Sequence, residues 1–173
     1  ELPLPTRILI GMSDFMVKFW WLVIAAIVGV FLWFPSFART EGGSRLLDTL
    51  TLRAPVYGSL KKDMIMAEMT RTLGLLVGAG VPILEGLEIV ADALDSRSYT
   101  DSTKEIASKV EKGFPLGLMF SQNLIYPPII GQMLIVGEET GKIDETMDRI
   151  SKYFEQQADE KVKRLSTAIE PII

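Results

Sequence analysis

The sequence contains no cysteine and no histidine. It therefore lacks the commonest ligands for zinc, haem and iron–sulfur clusters, and the usual nucleophile–base pairs of hydrolases. Disulfides cannot staple the fold, so stability has to come from packing and from membrane insertion. A concentrated basic face is missing too: 18 Lys and Arg stand against 22 Asp and Glu, a formal net charge of −4. Phosphate neutralisation needs clustered positive charge, so nucleic acid is not an expected partner. No glycine loop ends in Lys followed by Ser or Thr, and ATP hydrolysis by this chain is not expected. Strand signals are absent as well, since no stretch joins strict alternation to β-branched enrichment and hairpin turns. An all-α protein is expected, with no catalytic, cofactor or metal site, that works by assembling with other proteins.

Apolar residues, by contrast, are plentiful at 48%. Phe19 to Phe34 reads FWWLVIAAIVGVFLWF without a charge. Extended from Val17 to Phe37, this run makes roughly 32 Å of helix, enough for a hydrocarbon core of about 30 Å. Trp20, Trp21 and Trp33 lie toward its ends, where indoles suit the interface, and Lys18 can snorkel from the first turn. Ser13 and Asp14 offer an N-cap, and Pro35 marks the exit. A transmembrane helix over residues 16–38 is expected, after an extracytoplasmic lead-in over 1–15. A signal peptide fits less well, because a basic n-region and a small-x-small cleavage site are missing. Arg39, Arg45, Arg53, Lys61 and Lys62 follow the run, against Arg7 and Lys18 before it, which places the downstream part in the cytoplasm.

Residues 39–58 read as a juxtamembrane connector in which Leu46, Leu47 and Leu50 form a short stripe ending near Pro55 and Gly58. Residues 59–165 read as an antiparallel bundle of about six helices. Met66, Met69, Leu73 and Leu76 recur at helical spacing over Leu60 to Val77, and Gly78 and Gly80 stop that helix. Pro82 is expected at the first position of the next, with Ile83, Leu87, Val90, Ala91 and Leu94 inward. Ser98 and Thr100 are the expected caps of a third helix carrying Ile106, Ala107 and Val110, with Gly113 at its end. A short helix over Leu116 to Gln122 follows, then one started by Pro127 and Pro128 and stopped near Gly141, where Gly137 suggests close helix contact. Ile143, Met147, Ile150, Phe154, Ala158, Val162, Leu165 and Ile169 define a final helix of roughly 45 Å that extends out of the bundle. Its opposite face carries Asp148, Lys152, Glu155, Asp159 and Lys163 as exposed pairs.

Taken in order, LPLPT (Leu2 to Thr6), AEMTRTLGLLVGAGVPILEGLEI (Ala67 to Ile89), EKGFPLG (Glu111 to Gly117), VGEETGKID (Val136 to Asp144) and IEPII (Ile169 to Ile173) carry a resemblance. The chain resembles the type II secretion system F family, the inner-membrane platform proteins of type II secretion and type IV pilus machines. Gly137, Glu138 and Gly141 match the family's Gly-Glu-x-x-Gly element, whereas Glu68 departs from the family pattern, where a basic residue is common. The resemblance implies two related cytoplasmic helical domains and three membrane helices in a full protein. This chain would hold the second span and second domain, with residues 166–173 beginning a further, truncated membrane helix. It also implies a bacterial inner-membrane location and a likeness in partners: a cytoplasmic assembly ATPase, pilin or pseudopilin subunits, other inner-membrane machine components, membrane lipid and further copies of the chain. Mechanical coupling of the ATPase to pilin assembly would be the function.

The motif residues themselves, Gly80, Val81, Pro82, Gly137, Glu138 and Gly141, admit a structural role or a partner contact. Gly141 suits a left-handed cap between two helices, and Glu138 can accept backbone or basic side-chain hydrogen bonds. The Gly80-Val81-Pro82 turn joins a permissive backbone to a rigid helix entry. Glu138, Glu139 and Asp144 look superficially like a metal or acid–base set, but exposed carboxylates at a helix end usually stay solvated. The long patterned final helix suggests an alternative function, a membrane-tethered dimerisation or signalling module.

Overall fold

A computed structural model describes residues 20–22, 24 and 40–169. Most of the expected span over 16–38, the lead-in over 1–15 and residues 170–173 lie outside these. Residues 20–22 and 24 are helical with exposed side chains. Among the described residues no helix is long and apolar enough to cross a membrane. The chain divides into two compact units, residues 1–44 and 45–173.

Among the described residues the secondary structure is entirely helical: Glu41–Arg53 (α1), Tyr57–Gly78 (α2), Ile83–Ala93 (α3), Arg97–Glu111 (α4), Leu116–Gln122 (α5), Pro128–Thr140 (α6) and Ile143–Ile169 (α7). The fold is an all-α helical bundle. Its six helices from α2 onward match the expected number.

From α2 onward each helix buries most of the stripe that its sequence periodicity marks, whereas Leu46 and Leu50 of the α1 stripe are exposed. Met66, Met69 and Leu73 of α2, Leu87 and Val90 of α3, and Ile106 of α4 meet Met147, Ile150 and Phe154 of α7 in one core. The α2 and α7 helices run antiparallel along this seam. Asp63 of α2 pairs with Lys161 of α7 at 2.5 Å, and Arg71 with Glu155. Further along, Gly74 lies so close to α7 that an added Cβ would stand 2.9 Å from the Met147 Cβ. Val162 is already 47% exposed, so the C-terminal turns of α7 leave the core.

Two helix starts differ from the sequence expectation. Pro82 is not the first helical residue but the N-cap of α3, with ψ 139°, and its carbonyl accepts the Gly86 N–H at 2.9 Å. The chain leaves the preceding glycine turn extended, which delays the helix by one residue. Ser98 and Thr100 do not cap α4 either; Ser96 holds that position. The Ser96 hydroxyl is turned away, donating to Asp48 Oδ2 of α1 at 2.9 Å, and the same carboxylate oxygen accepts the Ser98 N–H at 2.9 Å. A carboxylate at a helix N-terminus meets both an orphan donor and the positive end of the dipole. Asp48, 48 residues upstream of the Ser96 it binds, is thus the cap.

The α1–α2 corner is tight. Tyr57 N–H bonds Pro55 O at 2.8 Å, and Val56 between them sits at φ 66°, ψ −57°. This three-residue turn is strained for any L residue, and more so for a β-branched one.

An aromatic cluster joins α4 to the α5–α6 loop. Tyr126 stacks edge-on against Tyr99 and Phe120, with centroids at 5.6 and 4.8 Å, and its hydroxyl bonds Thr103 Oγ1 at 2.8 Å. Tyr99 donates to Ile125 O at 3.3 Å. Burial pushes the Tyr99 phenol up to about 12, with Tyr126 and the Asp48 and Asp63 charges adding to it; burial raises Tyr126 as well. The unfolded chain ionises first, near pH 10, so the stability from Tyr99 is intact below pH 10 and lost as pH rises toward 12. Urea denaturation between pH 9 and 11.5 should show this fall, and Tyr99→Phe should flatten it.

Candidate functional site

The residues that the sequence singles out in separate segments meet at one end of the bundle. α2 ends at Gly80 (φ 87°), α4 at Gly113 (φ 89°) and α6 at Gly141 (φ 69°). All three turns close in the same way. Val81 N–H bonds Leu76 O at 2.9 Å, Phe114 N–H bonds Lys109 O at 3.2 Å, and Lys142 N–H bonds Gly137 O at 2.8 Å. Each is the six-to-one bond that satisfies the last carbonyls of a helix and demands a left-handed residue before it.

Three contacts place these turns together. Gly78 of α2 lies beside Asp144 of α7, 3.7 Å from an added Cβ to the Asp144 Cβ. Leu84 of α3 and Glu111 of α4 line one surface cavity of about 400 Å³ with Glu88, Asp92 and Lys104, and Asp92 pairs with Lys104 at 2.7 Å. Glu138 of α6 reaches the start of α5: Oε1 accepts the Leu116 N–H at 3.0 Å and Oε2 the Gly117 N–H at 3.1 Å.

The Glu138 clamp explains why VGEETGKID and EKGFPLG belong to one site. α5 has only seven residues and no side-chain cap of its own, so the half-buried carboxylate supplies two acceptors to its orphan N–H groups. The helices it joins are pressed together. A Cβ on Gly117 would fall 2.4 Å from Ile135 N, and one on Gly137 would fall 2.6 Å from Thr146 Oγ1 of α7. Gly137 therefore serves α6–α7 contact, Glu138 the α5 cap and Gly141 the turn between α6 and α7. Gly80, Val81 and Pro82 form the matching turn between α2 and α3. Among the described residues no group of acidic side chains is arranged to hold a metal ion; Glu138 is committed to backbone amides, while Glu139 and Asp144 face solvent.

Around these turns the surface is open. Leu75, Phe114 and Val136 are 68%, 51% and 58% exposed. Arg71, Leu75, Gly78, Asp144, Glu145 and Asp148 line a shallow groove of about 480 Å³ between α2 and α7. Sequence reasoning missed Asp48, whose partners lie far along the chain, and Gly131, where a Cβ would fall 2.5 Å from Ser121 N. Gly117 and Gly131 are visible in sequence as small residues following prolines, but nothing local reveals that they face each other's helices.

Comparisons with known proteins identify the family. Residues 69–173 match the family model described as type II secretion system (T2SS), protein F. The chain belongs to the type II secretion system protein F family. Members of this family are platform proteins of type IV pilus and type II secretion machines and are not enzymes. The chain is 34% identical over 174 residues to the type IV pilus assembly protein PilC of Thermus thermophilus, covering all of this chain and 43% of the relative. It is 29% identical over 175 residues to PilC of Pseudomonas aeruginosa, covering all of this chain and 46% of that relative. With the type II secretion system protein F of Xanthomonas campestris it shares 31% identity over 159 residues, 91% of this chain and 39% of the relative. The chain thus spans less than half the length of these curated relatives.

Glu138→Ala should cost about 1–2 kcal/mol, the usual worth of a lost cap, and speed amide exchange at Leu116 and Gly117. Gly141→Ala should cost about 1–2 kcal/mol through its left-handed φ, without changing exchange at α5. Urea melts with site-resolved hydrogen exchange separate the two.

Proposed function

We propose that this chain is the second cytoplasmic helical domain, with its preceding membrane helix, of an inner-membrane platform protein that couples a cytoplasmic ATPase to the assembly of pilin or pseudopilin subunits. The observation that carries this reading is the polarity of the bundle. α2 has 22 residues, roughly 33 Å, and separates two unlike ends. At one end lie α1 and the C-terminal turns of α7, the two elements that lead toward the apolar run and toward IEPII. At the other lie the three glycine turns with exposed Leu75, Phe114 and Val136.

Such an arrangement suits force transmission. A motor engaging the glycine-turn end would act through α2 and α7, which are held in register by the Asp63–Lys161 and Arg71–Glu155 pairs, and deliver displacement to the membrane end. The exposed apolar residues there have the character of a transient protein interface. The pilin or pseudopilin contacts, further machine components and pairing of platform copies belong to the membrane end and to the rest of the protein. The alternative of a dimerisation module finds less support, because the apolar stripe of α7 from Met147 to Ala158 is already buried within its own bundle.

In the membrane-reconstituted full-length protein, Phe114→Asp combined with Val136→Asp should reduce co-purification of the cognate assembly ATPase at least tenfold, with helicity and melting temperature retained. Met64→Ser, an exposed site in the half of α2 away from the glycine turns, should leave it unchanged. Undiminished ATPase binding by the double variant, with the fold intact, would remove the support for this reading.

A further inference from the structure

The end of the bundle away from the glycine turns carries an apolar and basic face that neither the core nor the motif residues use. α1 turns one carboxylate and part of its apolar surface inward: Asp48 is buried, bonding Ser96 and Ser98 at the start of α4, and Leu52 packs against the core. The opposite side presents Leu46 and Leu50, which are 54% and 58% exposed, with exposed Arg53 on the same stripe by its spacing of three and seven residues. A helix docked by a buried carboxylate, with Leu46 and Leu50 outside while Leu47 and Leu52 are half-buried, carries more apolar surface than its own fold covers.

Two further elements extend this face. At the corner after α1, the strained backbone of Val56 holds Val56 and Tyr57 at 52% and 57% exposure; backbone strain that displays apolar side chains to solvent calls for a purpose beyond packing. In the loop between α5 and α6, Leu124 is 100% exposed. That loop is fixed at the same end of α4 that Asp48 caps, since Asn123 Nδ2 donates to Ser102 Oγ at 2.6 Å and Tyr99 donates to Ile125 O at 3.3 Å.

We propose that Leu46, Leu50, Arg53, Val56, Tyr57 and Leu124 form a docking surface for an anionic bilayer, so that the bundle rests against the membrane by this face rather than hanging from a flexible tether. Charge complementarity selects the occupant. Residues 41–63 hold Arg45, Arg53, Lys61 and Lys62 against Glu41, Asp48 and Asp63, of which Asp48 and Asp63 are buried, in a chain whose net charge is −4. α7 brings exposed Lys163 and Arg164 to the same end, beyond Lys161, which bonds Ser59 O of α2 at 3.2 Å; Glu160 there is paired with Arg164 at 3.7 Å. The opposite end exposes Glu85, Glu111, Glu139, Asp144 and Glu145 against Lys112 and Lys142, the latter paired with Glu145 at 3.2 Å. Leucines flanked by Arg and Lys, with a tyrosine at the boundary, are the composition of a helix lying in a headgroup layer.

Reach supports the same occupant. Three residues lie between Phe37, the end of the apolar run, and Glu41 at the start of α1, a span of at most about 14 Å of extended chain. This step rests on the proposed membrane span; the face itself does not.

Residues 1–173 hold no cysteine, so single spin labels are clean once any cysteine elsewhere in the full-length protein is replaced by serine. Labels at positions 50, 57 and 124, with a reference at 136 and a span reporter at 24, are placed in the full-length protein in nanodiscs of phosphatidylethanolamine and phosphatidylglycerol. Collisions with oxygen should rise, and those with a water-soluble nickel chelate should fall several-fold, at 50, 57 and 124 relative to 136. Arg53→Glu with Lys62→Glu, or phosphatidylcholine discs, should reverse most of this. Aqueous behaviour at 50, 57 and 124 while 24 is immersed overturns the docking and leaves the span reading standing; an aqueous label at 24 sinks the span reading alone. Spin–spin broadening at 50 and 57 without the oxygen gain means that a second copy covers the face, and equal immersion in neutral and anionic discs removes the charge selection; either result overturns the proposal as stated.

Discussion

The close antiparallel approach of α2 and α7 is the constraint on which the rest of the bundle depends. Gly74 lets the two helices approach until Met147 nearly fills the space a side chain would take, so Met66, Met69 and Leu73 share one seam with Met147, Ile150 and Phe154. Burial of these side chains supplies the non-directional driving force. The register comes from elsewhere. The partly buried Asp63–Lys161 pair adds little net stability in itself, but a wrong register would strand its charges. With α2 and α7 fixed, the shorter helices have a floor to pack on.

Those shorter helices could not persist alone. A seven-residue α5 has too few hydrogen bonds to offset its own nucleation, and it is held by the Glu138 carboxylate at one end and by the close approach of its Gly117 to Ile135 and its Ser121 to Gly131 of α6. α4 likewise takes its cap from Asp48 of α1. Both caps come from a different helix, so each does two things: it satisfies orphan amides and it fixes how two helices meet. In a platform protein this coupling is useful, because displacement of one helix cannot leave its neighbour behind.

The polarity of the bundle follows from the same geometry. Three left-handed turns need glycine at Gly80, Gly113 and Gly141, and because successive helices alternate in direction these turns fall at one end. The other end gathers α1, the α5–α6 loop and the end of α7, with exposed Arg53 and Lys62 beside unburied leucines. One domain thereby has two unlike ends, of which we propose that one meets a protein partner and the other lipid.

The sequence by itself determined the helical class, the helix count from α2 onward, the inward stripes and the glycine stops, because periodicity, proline and glycine act over a turn or two of chain. The family was also legible, from motifs read in order. Only the tertiary structure decided what the motif residues do. That Glu138 caps α5 depends on a contact across 22 residues, and that Asp48 caps α4 depends on one across 50. Sequence placed the caps at Ser98 and Thr100 because local hydroxyls were the nearest acceptors in view. A carboxylate brought in by packing satisfies the same amides and adds a charge at the dipole's positive end, so it won, and no local pattern records the helix that delivers it.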